Sequence, residues 1–432
     1  MRRWRAQNAR MSEPSPAAPG RPAGYWWRDA AADFPALSDD LETDVLIVGG
    51  GITGVTLAYT LADAGAGVVL LESSWIAGAA SGRNAGFLLA APAEPYSEAV
   101  ALWGRAGARA VLEIGRRTHT RVRLLIETLG LECDYRRSGS LRLTRTEEET
   151  EDQRAALPLL HADGFPMNEV PLASVLPAHQ AECFHAAFLT EEDGALDPVR
   201  FLHGVARAAA GLGARVHAHA ALSAARWNGG AWEAHSGSHT VRARSLVIAT
   251  NAYAPRLCPV LAPLIAPRRG QMLVTAPIAQ EIAPRPTMAH WGYQYWRQAP
   301  DGRLLVGGWR DLNPDAECGE DERPTDEIQA GLERGLAELA PGGAQIEERW
   351  AGIMGFARDG RPLVGWLDAE HHLAIAAGYT GHGVGMAAAC AQELAQLLAF
   401  RPAPLLSTLD PARFPELRRP APGLTRLGAA AS

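Results

Sequence analysis

The sequence predicts an α/β protein built on a Rossmann-like dinucleotide-binding unit. Three observations predict it. Val45–Val48 is a short aliphatic run that reads as a buried strand. Gly49, Gly51 and Gly54 follow directly in G-x-G-x-x-G spacing. A second apolar run, Val68–Leu71, ends on an acid, Glu72. Strand, turn, helix and strand in this order within about 30 residues make one βαβ unit.

Each residue of the motif has a physical task. Gly49 lets the chain turn sharply out of the strand, Gly51 lets a pyrophosphate approach the backbone, and Gly54 lets the helix lie close on the sheet. The helix, roughly Gly51 to Ala64, begins with Ile52 and Thr53 and aims its amides and positive dipole end at the phosphates. Gly65 and Gly67 end it. Glu72, with Ser73 beside it, can accept hydrogen bonds from ribose hydroxyls, and its charge disfavours a 2′-phosphate. The motif alone does not choose between NAD and FAD.

Composition narrows the function. At 432 residues the chain can form two domains, and 47% hydrophobic with 21% charged residues is ordinary for a globular protein. A net charge of −7 without a basic run in the body disfavours a nucleic-acid partner. No apolar stretch is long enough to span a membrane. The first 24 residues are basic and Pro/Ala-rich without an apolar core, which predicts a disordered tail, and Met11 offers an alternative start. Five scattered cysteines without a C-x-x-C pair fit a reducing cytoplasm and give no metal framework. The paired histidines His217/His219 and His371/His372 lack further ligands nearby, so no metal is expected. All 41 Lys-plus-Arg residues are arginine, which excludes a P-loop and a Schiff-base lysine.

Beyond the first unit, Tyr25–Glu42 is an aromatic lead-in whose Trp26 and Trp27 are expected to anchor it. The small-residue loop Ser73–Phe87 lets its backbone approach a flat ligand, with Arg83 and Asn84 as polar contacts; the alternative is a surface loop. Helices are expected over about Ser97–Leu129, Glu147–Leu160 and Pro324–Leu339, and Asp197 with Pro198 caps one reaching Gly211. Phe165–Leu196 reads as irregular, and the chain from Arg401 as an irregular C-terminal tail. Strands are expected at Ser138–Leu143, Gly213–Leu222, Trp232–Pro255 and Leu373–Ala377. A hairpin turns at Pro300–Gly302, and strand spacing puts Trp291, Tyr293 and Tyr295 on one face and Trp296 on the other. These rings read equally as core or as the wall of a substrate pocket. Gly378, Gly381, Gly383 and Gly385, with Thr380 and His382, form a second glycine-rich turn into a helix.

Four segments, VLIVGGGITG with Glu72, ASGRNAGF, LVIATNAY and AAGYTGHGVGMA, resemble the D-amino-acid-oxidase-like superfamily of FAD-dependent oxidoreductases. YWRQAPDGRLLVGG and WAGIMGFARDGRPLVG look like its branch of γ-glutamylputrescine oxidases and other bacterial amine oxidases. The likeness spans about Tyr25 to Phe400. It implies a Rossmann-like FAD-binding domain with an interleaved, mainly antiparallel-sheet α+β substrate domain. The FAD-binding domain would take residues 25–89, 197–255 and 349–400, and the substrate domain residues 90–196 and 256–348. Gly49, Gly51, Ile52, Thr53 and Gly54 would take the pyrophosphate, and Glu72 and Ser73 the ribose. Ser81, Gly82, Arg83, Asn84, Ala85 and Gly86 would run beside the pyrophosphate and flavin ring. Leu222 would hold adenine through its backbone, and Thr250 and Asn251 would lie near the ADP half. Gly352, Gly378, Thr380, Gly381, His382 and Gly383 would face the flavin.

Departures from the family pattern refine this. Many amino-acid oxidases of this kind carry a carboxylate-anchoring arginine in the segment matching Trp350–Gly365; here it reads Gly352-Ile-Met-Gly. That favours an amine over an α-amino acid, with Arg83, Arg297 and Arg358 as the arginines able to replace the anchor. No cysteine stands where relatives attach flavin, so noncovalent FAD is expected. Without a lysine over the flavin, oxygen use needs another cation, His382 or an arginine, or the enzyme uses a different electron acceptor. The sequence thus points to a flavoenzyme oxidising the C–N bond of an amine, γ-glutamylputrescine-like or otherwise substituted, by hydride transfer to flavin. His382, Tyr293 and Tyr295 are the expected active-site residues. The alternative is a D-amino-acid or N-methyl-amino-acid (sarcosine-like) oxidase or dehydrogenase. An RNA-modifying flavoprotein is disfavoured by the acidic charge, and an NAD-binding protein without redox activity is the plainest rival.

Overall fold

A computed structural model of the chain describes residues 22–28, 34–91, 95–418 and 426–428. Most of the expected N-terminal tail lies outside them. Two large sheets organise the molecule. The first has a parallel centre in the order Arg215–His217, Val68–Leu71, Leu41–Val48, His239–Ile248, Leu373–Ala377. His239–Ile248 is long enough to serve two partners on one edge: its first half pairs antiparallel with Trp232–Ser236 and its last residues pair parallel with Leu373–Ala377.

Alternation along the first strand divides the core. Val45 and Ile47 face helices Ile52–Asp63, Pro198–Gly211 and Gly383–Leu398, while Leu46 and Val48 face a second apolar layer that includes Phe414 and Leu417. Burial on both faces is why these strands read as continuous apolar runs. Helix Pro198–Gly211 starts as its signals require, with Asp197 Oδ1 accepting from the amides of Val199 and Arg200.

The second sheet is mainly antiparallel, in the order Ile346–Ala357, Ile265–Pro277, Arg303–Gly308, Gln294–Gln298, Thr287–Ala289, Ser140–Thr144, Ala186–Thr190, Met167–Val170. Helix Asp326–Leu339 covers the face that carries Leu141, Leu273, Trp296 and Val306. The residues between these in register (Arg142, Arg268, Tyr295 and Met354 among them) take the opposite face, toward the first sheet.

Several expectations are corrected. Phe165–Leu196 is not irregular: it supplies two strands of the second sheet, Met167–Val170 and Ala186–Thr190, which pair with each other, the second also with Ser140–Thr144. The strand expected over Gly213–Leu222 extends only over Arg215–His217. Residues 349–357 pair along their whole length with Ile265–Pro277 in the second sheet, so the crossing between the sheets comes after Ala357 and not at residue 349. The chain after Arg401 packs back through short 3-10 turns, burying Leu406, Leu409, Phe414 and Leu417, and Arg426–Gly428 adds to the edge of the first sheet. Helix Tyr96–Leu129 is interrupted at Gly104 (φ 71°) and ends, as expected, on left-handed Gly130.

A buried polar network ties the loop 309–325 to the second sheet. Arg269 pairs bidentately with Glu317 (2.7 and 3.0 Å), whose carboxylate also accepts from Gln271. Both side chains of the pair are nearly inaccessible, at 6% and 1% exposure. Removing one partner strands the other's charge, so Glu317→Ala is expected to cost about 3–5 kcal/mol. Denaturant unfolding checks this, and an unchanged midpoint would mean that the network contributes no net stability.

Candidate active site

The first βα turn forms a tight cradle. Gly49 has φ +115°, and a side chain there would meet the Ala249 backbone. A side chain at Gly54 would be driven into the Gly49 carbonyl. At Gly51 the neighbour is Ser81 Oγ, 3.0 Å from an added Cβ, and the same hydroxyl accepts from the Ile52 amide at 3.0 Å. Glu72 is oriented by its surroundings. Its Oε2 accepts from the Gly50 amide at 2.7 Å, and its Oε1 from the Ser74 amide at 2.8 Å and the Ser73 hydroxyl at 3.0 Å. Oε2 therefore keeps acceptor capacity for a further donor.

The loop Ser81–Gly86 is fixed from behind. Asn84 donates to the Ala80 and Ser81 carbonyls and accepts from the Gly86 amide. Trp26 Nε1 donates to the Asn84 carbonyl at 2.6 Å, and Trp350 Nε1 to the Arg83 carbonyl at 2.9 Å. Trp27 packs against Gly82, and Ala85 is buried. The aromatic lead-in thus anchors on this loop, with Trp26 and Trp27 almost fully buried.

The second glycine turn lies beside the first. Asn251, itself left-handed (φ 45°), accepts from the amides of Gly378 (2.9 Å) and Tyr379 (3.4 Å). Thr380 bridges its own turn to the second sheet: its amide donates to Gly355 and its hydroxyl accepts from Ala357. The Thr53 hydroxyl donates to Tyr379 Oη at 2.9 Å, coupling the first turns of the two helix starts. Helix Gly383–Leu398 then runs against Ile52–Asp63.

Facing this turn is the inner face of the second sheet. An added Cβ at Gly381 would meet Met354 Sδ and the Phe356 ring, and one at Gly270 would meet Met354 Cε and Tyr295 Oη, so these groups converge. Phe87 packs edge-on against Tyr295. Burial pushes the Tyr295 hydroxyl up to about 12, against the opposing charge of Arg310. His382 Nδ1 lies 3.2 Å from the Thr380 carbonyl. Desolvation, with repulsion from Arg142 and Arg310, lowers the ring to about 4 despite that bond. At neutral pH the ring is uncharged: Nδ1–H donates to Thr380 and Nε2 is left as an acceptor.

Sequence reasoning placed some residues wrongly. His290, Trp291 and Gly292 are consecutively left-handed (φ 52°, 48° and 82°), and the strand begins only at Gln294. Trp291 and Tyr293 therefore do not share a strand face with Tyr295; Tyr293 instead stacks under Arg310 at 4.5 Å. The lowered pKa of His382 disfavours it as the cation. The three arginines expected as anchors are each engaged by protein groups. Arg83 is held by Glu322, Gly78 and Ala351 beneath Gly352, and Arg297 is buried over Trp26. Arg358 pairs with Glu416 at the surface. Leu222 is buried near the end of the Glu72 strand, where the Ala220 amide bonds the Glu72 carbonyl. Arg142, Arg268 and Arg310 were missed. The strand alternation at Arg142 and Arg268 offered a signal; Arg310, in a turn, offered none.

A parallel sheet with this glycine cradle, a second glycine turn beside it and a separate antiparallel sheet closing the cleft define a dinucleotide-dependent redox enzyme. Residues 44–397 match the family described as FAD dependent oxidoreductase, and the chain belongs to that family. It is 26% identical over 400 residues to the probable oxidoreductase OrdL of Rhizobium meliloti (strain 1021), covering 90% of each chain. It is 27% identical over 387 residues to the gamma-glutamylputrescine oxidoreductase of Escherichia coli (strain K12), covering 85% of this chain and 86% of that one. The fold is that of the crystal structure of glycine oxidase from Geobacillus kaustophilus, with a TM-score of 0.75 at 22% identity over 87% of this chain and 99% of that one.

The residues present fit FAD. Two groups beside the cradle, the Thr250 hydroxyl and both ring nitrogens of His217, are buried without protein partners. Such polar atoms call for a ligand or water. Gly51, without a side chain, leaves room beside Ser81 for a pyrophosphate, and Glu72 Oε2 keeps acceptor capacity for a ribose hydroxyl. Gly51→Val is expected to abolish FAD binding, and Glu72→Ala to weaken it by about 1.5–3 kcal/mol per lost hydrogen bond. Flavin retention after gel filtration, and titration of the apoprotein, check both. Full occupancy in both variants would place the nucleotide elsewhere. No cysteine lies between Cys318 and Cys390, so intact FAD is expected in the supernatant after denaturation; flavin left on the peptide would refute noncovalent binding.

Proposed function

We propose that the enzyme oxidises the C–N bond of an amine, γ-glutamylputrescine-like or otherwise substituted, to an imine that hydrolyses to a carbonyl compound and a smaller amine. The observation that supports this is Met354, which stands beside Tyr295 and the Gly381 turn in the segment Gly352-Ile-Met-Gly, where the family pattern would place a carboxylate-anchoring arginine. Bound FAD supplies the two-electron acceptor, taking a hydride from the amine's α-carbon. Tyr295, Met354 and Phe356 exclude water and orient the carbon chain. His382 Nε2, uncharged, accepts a hydrogen bond from the amine N–H. The acceptor that reoxidises the flavin is oxygen or another small oxidant. Five free thiols fit a cytoplasmic location. The two sheets suggest the division of labour: the parallel one holds the nucleotide and the antiparallel one the substrate.

Anaerobic flavin bleaching by a panel tests the reading. Polyamines, their γ-glutamyl derivatives and simple secondary amines are expected to reduce the flavin much faster than sarcosine or D- and L-amino acids. The reverse order would favour the amino-acid oxidase. Because the His382 ring is neutral above about 4, the pH profile of flavin reduction between pH 5 and 9 is expected to follow the amine's own titration. An inflection near 6.5 that disappears in His382→Gln would contradict a neutral His382.

A further inference from the structure

We propose that Glu322 is a positioning residue for the cofactor site: it clasps two turns beside the nucleotide cradle and so sets how slowly FAD leaves the protein. The inference rests on the FAD cradle and not on the amine reading. One carboxylate joins the two turns. Its Oε2 accepts from Arg83 Nη1 at 2.6 Å and its Oε1 from the Tyr253 hydroxyl at 2.9 Å. Arg83 belongs to the loop Ser81–Gly86 and carries the contact into a third element. Its Nη1 also donates to the Ala351 carbonyl at 3.1 Å, and its Nε to the Gly78 carbonyl at 2.8 Å. Tyr253 closes the 3-10 turn Asn251–Tyr253, whose first residue holds the Gly378 and Tyr379 amides. Burial, and next the charge of Glu322, push the Tyr253 hydroxyl far above its ordinary range, so it remains a donor. Glu322 therefore sits where the cofactor loop, the turn after His239–Ile248 and the strand Ile346–Ala357 come together.

Glu322 itself stands on none of these elements but on the segment 313–325, which reaches over from the second sheet. That segment is pinned by Glu317 in the buried network and by the Asp321 carbonyl, which accepts from Arg269 at 3.3 Å. Glu320 adds a pair with Arg256, three residues beyond Tyr253. Among the described residues, Glu322 is the one carboxylate in ion-pair range of Arg83. The grip on the cofactor loop is thus a charge-assisted bond at an accessible edge, with the Glu322 side chain 33% exposed and that of Arg83 14%. Dissolved salt reaches such a pair and screens it, whereas the close glycine contacts of the cradle do not respond to salt. With the clasp open, Arg83 keeps only carbonyl partners. The loop that carries the Ser81 hydroxyl to the Ile52 amide beside Gly51 is then freer to move aside.

The test is the rate at which FAD leaves the diluted holoenzyme, followed as flavin recovered in the filtrate, at low and at high sodium chloride. Wild type is expected to release FAD slowly at low salt and several-fold faster at high salt. Glu322→Gln should release it about tenfold faster at low salt, as the loss of a charge-assisted bond predicts, with little further response to salt. In an Arg83→Gln background, where release is already fast, Glu322→Gln should add nothing, a result that a general loosening of the fold would not produce. Glu416→Gln, which breaks the surface pair with Arg358, should release FAD as wild type does. Thermal melts establish that the variants fold. If Glu322→Gln does not, Glu322→Asp decides: one methylene shorter, it cannot reach both partners, and release should be several-fold faster. A wild-type rate in a folded Glu322 variant overturns the proposal. So does the same salt response with and without the carboxylate, or full acceleration by Glu322→Gln in the Arg83→Gln background.

Discussion

The helix that follows the first strand can lie on that strand only because two positions lack a side chain. Gly54 abuts the Gly49 carbonyl, and Gly49 in turn abuts the Ala249 backbone, whose amide bonds back to Val48. Strand, helix and the end of His239–Ile248 thus meet in one contact without slack. A methyl group at Gly54 would push the helix off the Gly49 carbonyl, and one at Gly49 would push the turn off the Ala249 backbone. The Thr53–Tyr379 hydrogen bond then depends on that helix position. Through it the second glycine turn inherits its place, so a contact about the size of one methyl group sets the relation between the two helix starts.

The second sheet is joined to this centre by the end of one strand. Ile346–Ala357 runs the length of Ile265–Pro277 and then, at Gly355 to Ala357, bonds Thr380 of the glycine turn. The same strand carries Met354 and Phe356, so the wall of the cleft and the hinge between the sheets are one element. Trp350 lies further back on it and holds the Arg83 carbonyl. Changes along this strand therefore act on the wall and on the Ser81–Gly86 loop together.

What could be read from the sequence was what is locally determined. The first βαβ unit needs only its own thirty or so residues. The helix after Asp197 announces itself because its cap bonds lie within three residues. The strands Met167–Val170 and Ala186–Thr190 did not, because each is defined by pairing across the residues between them and, for the second, with Ser140–Thr144, and a short mixed segment has no period of its own. The aromatic segment failed for a different reason: three consecutive left-handed residues at His290–Gly292 break the strand before Tyr293, and propensity does not foresee two non-glycine residues there. The nucleotide cradle was legible as a motif. The arginines of the cleft were not, since they come from the strand at Arg142, the strand at Arg268 and a turn at Arg310, and converge only in three dimensions.

The electrostatics of the cleft follow from that convergence. Burial and the charges of Arg142 and Arg310 all lower His382, and Arg268 lies near Arg310 in turn. A neutral imidazole beside cations is the lower-energy arrangement, because a fourth positive charge would be repelled by the others in a poorly solvated space. The same repulsion acts among the arginines: burial and the charge of Arg310 both lower Arg268. An anion entering the cleft would relieve this repulsion, and a further cation would add to it.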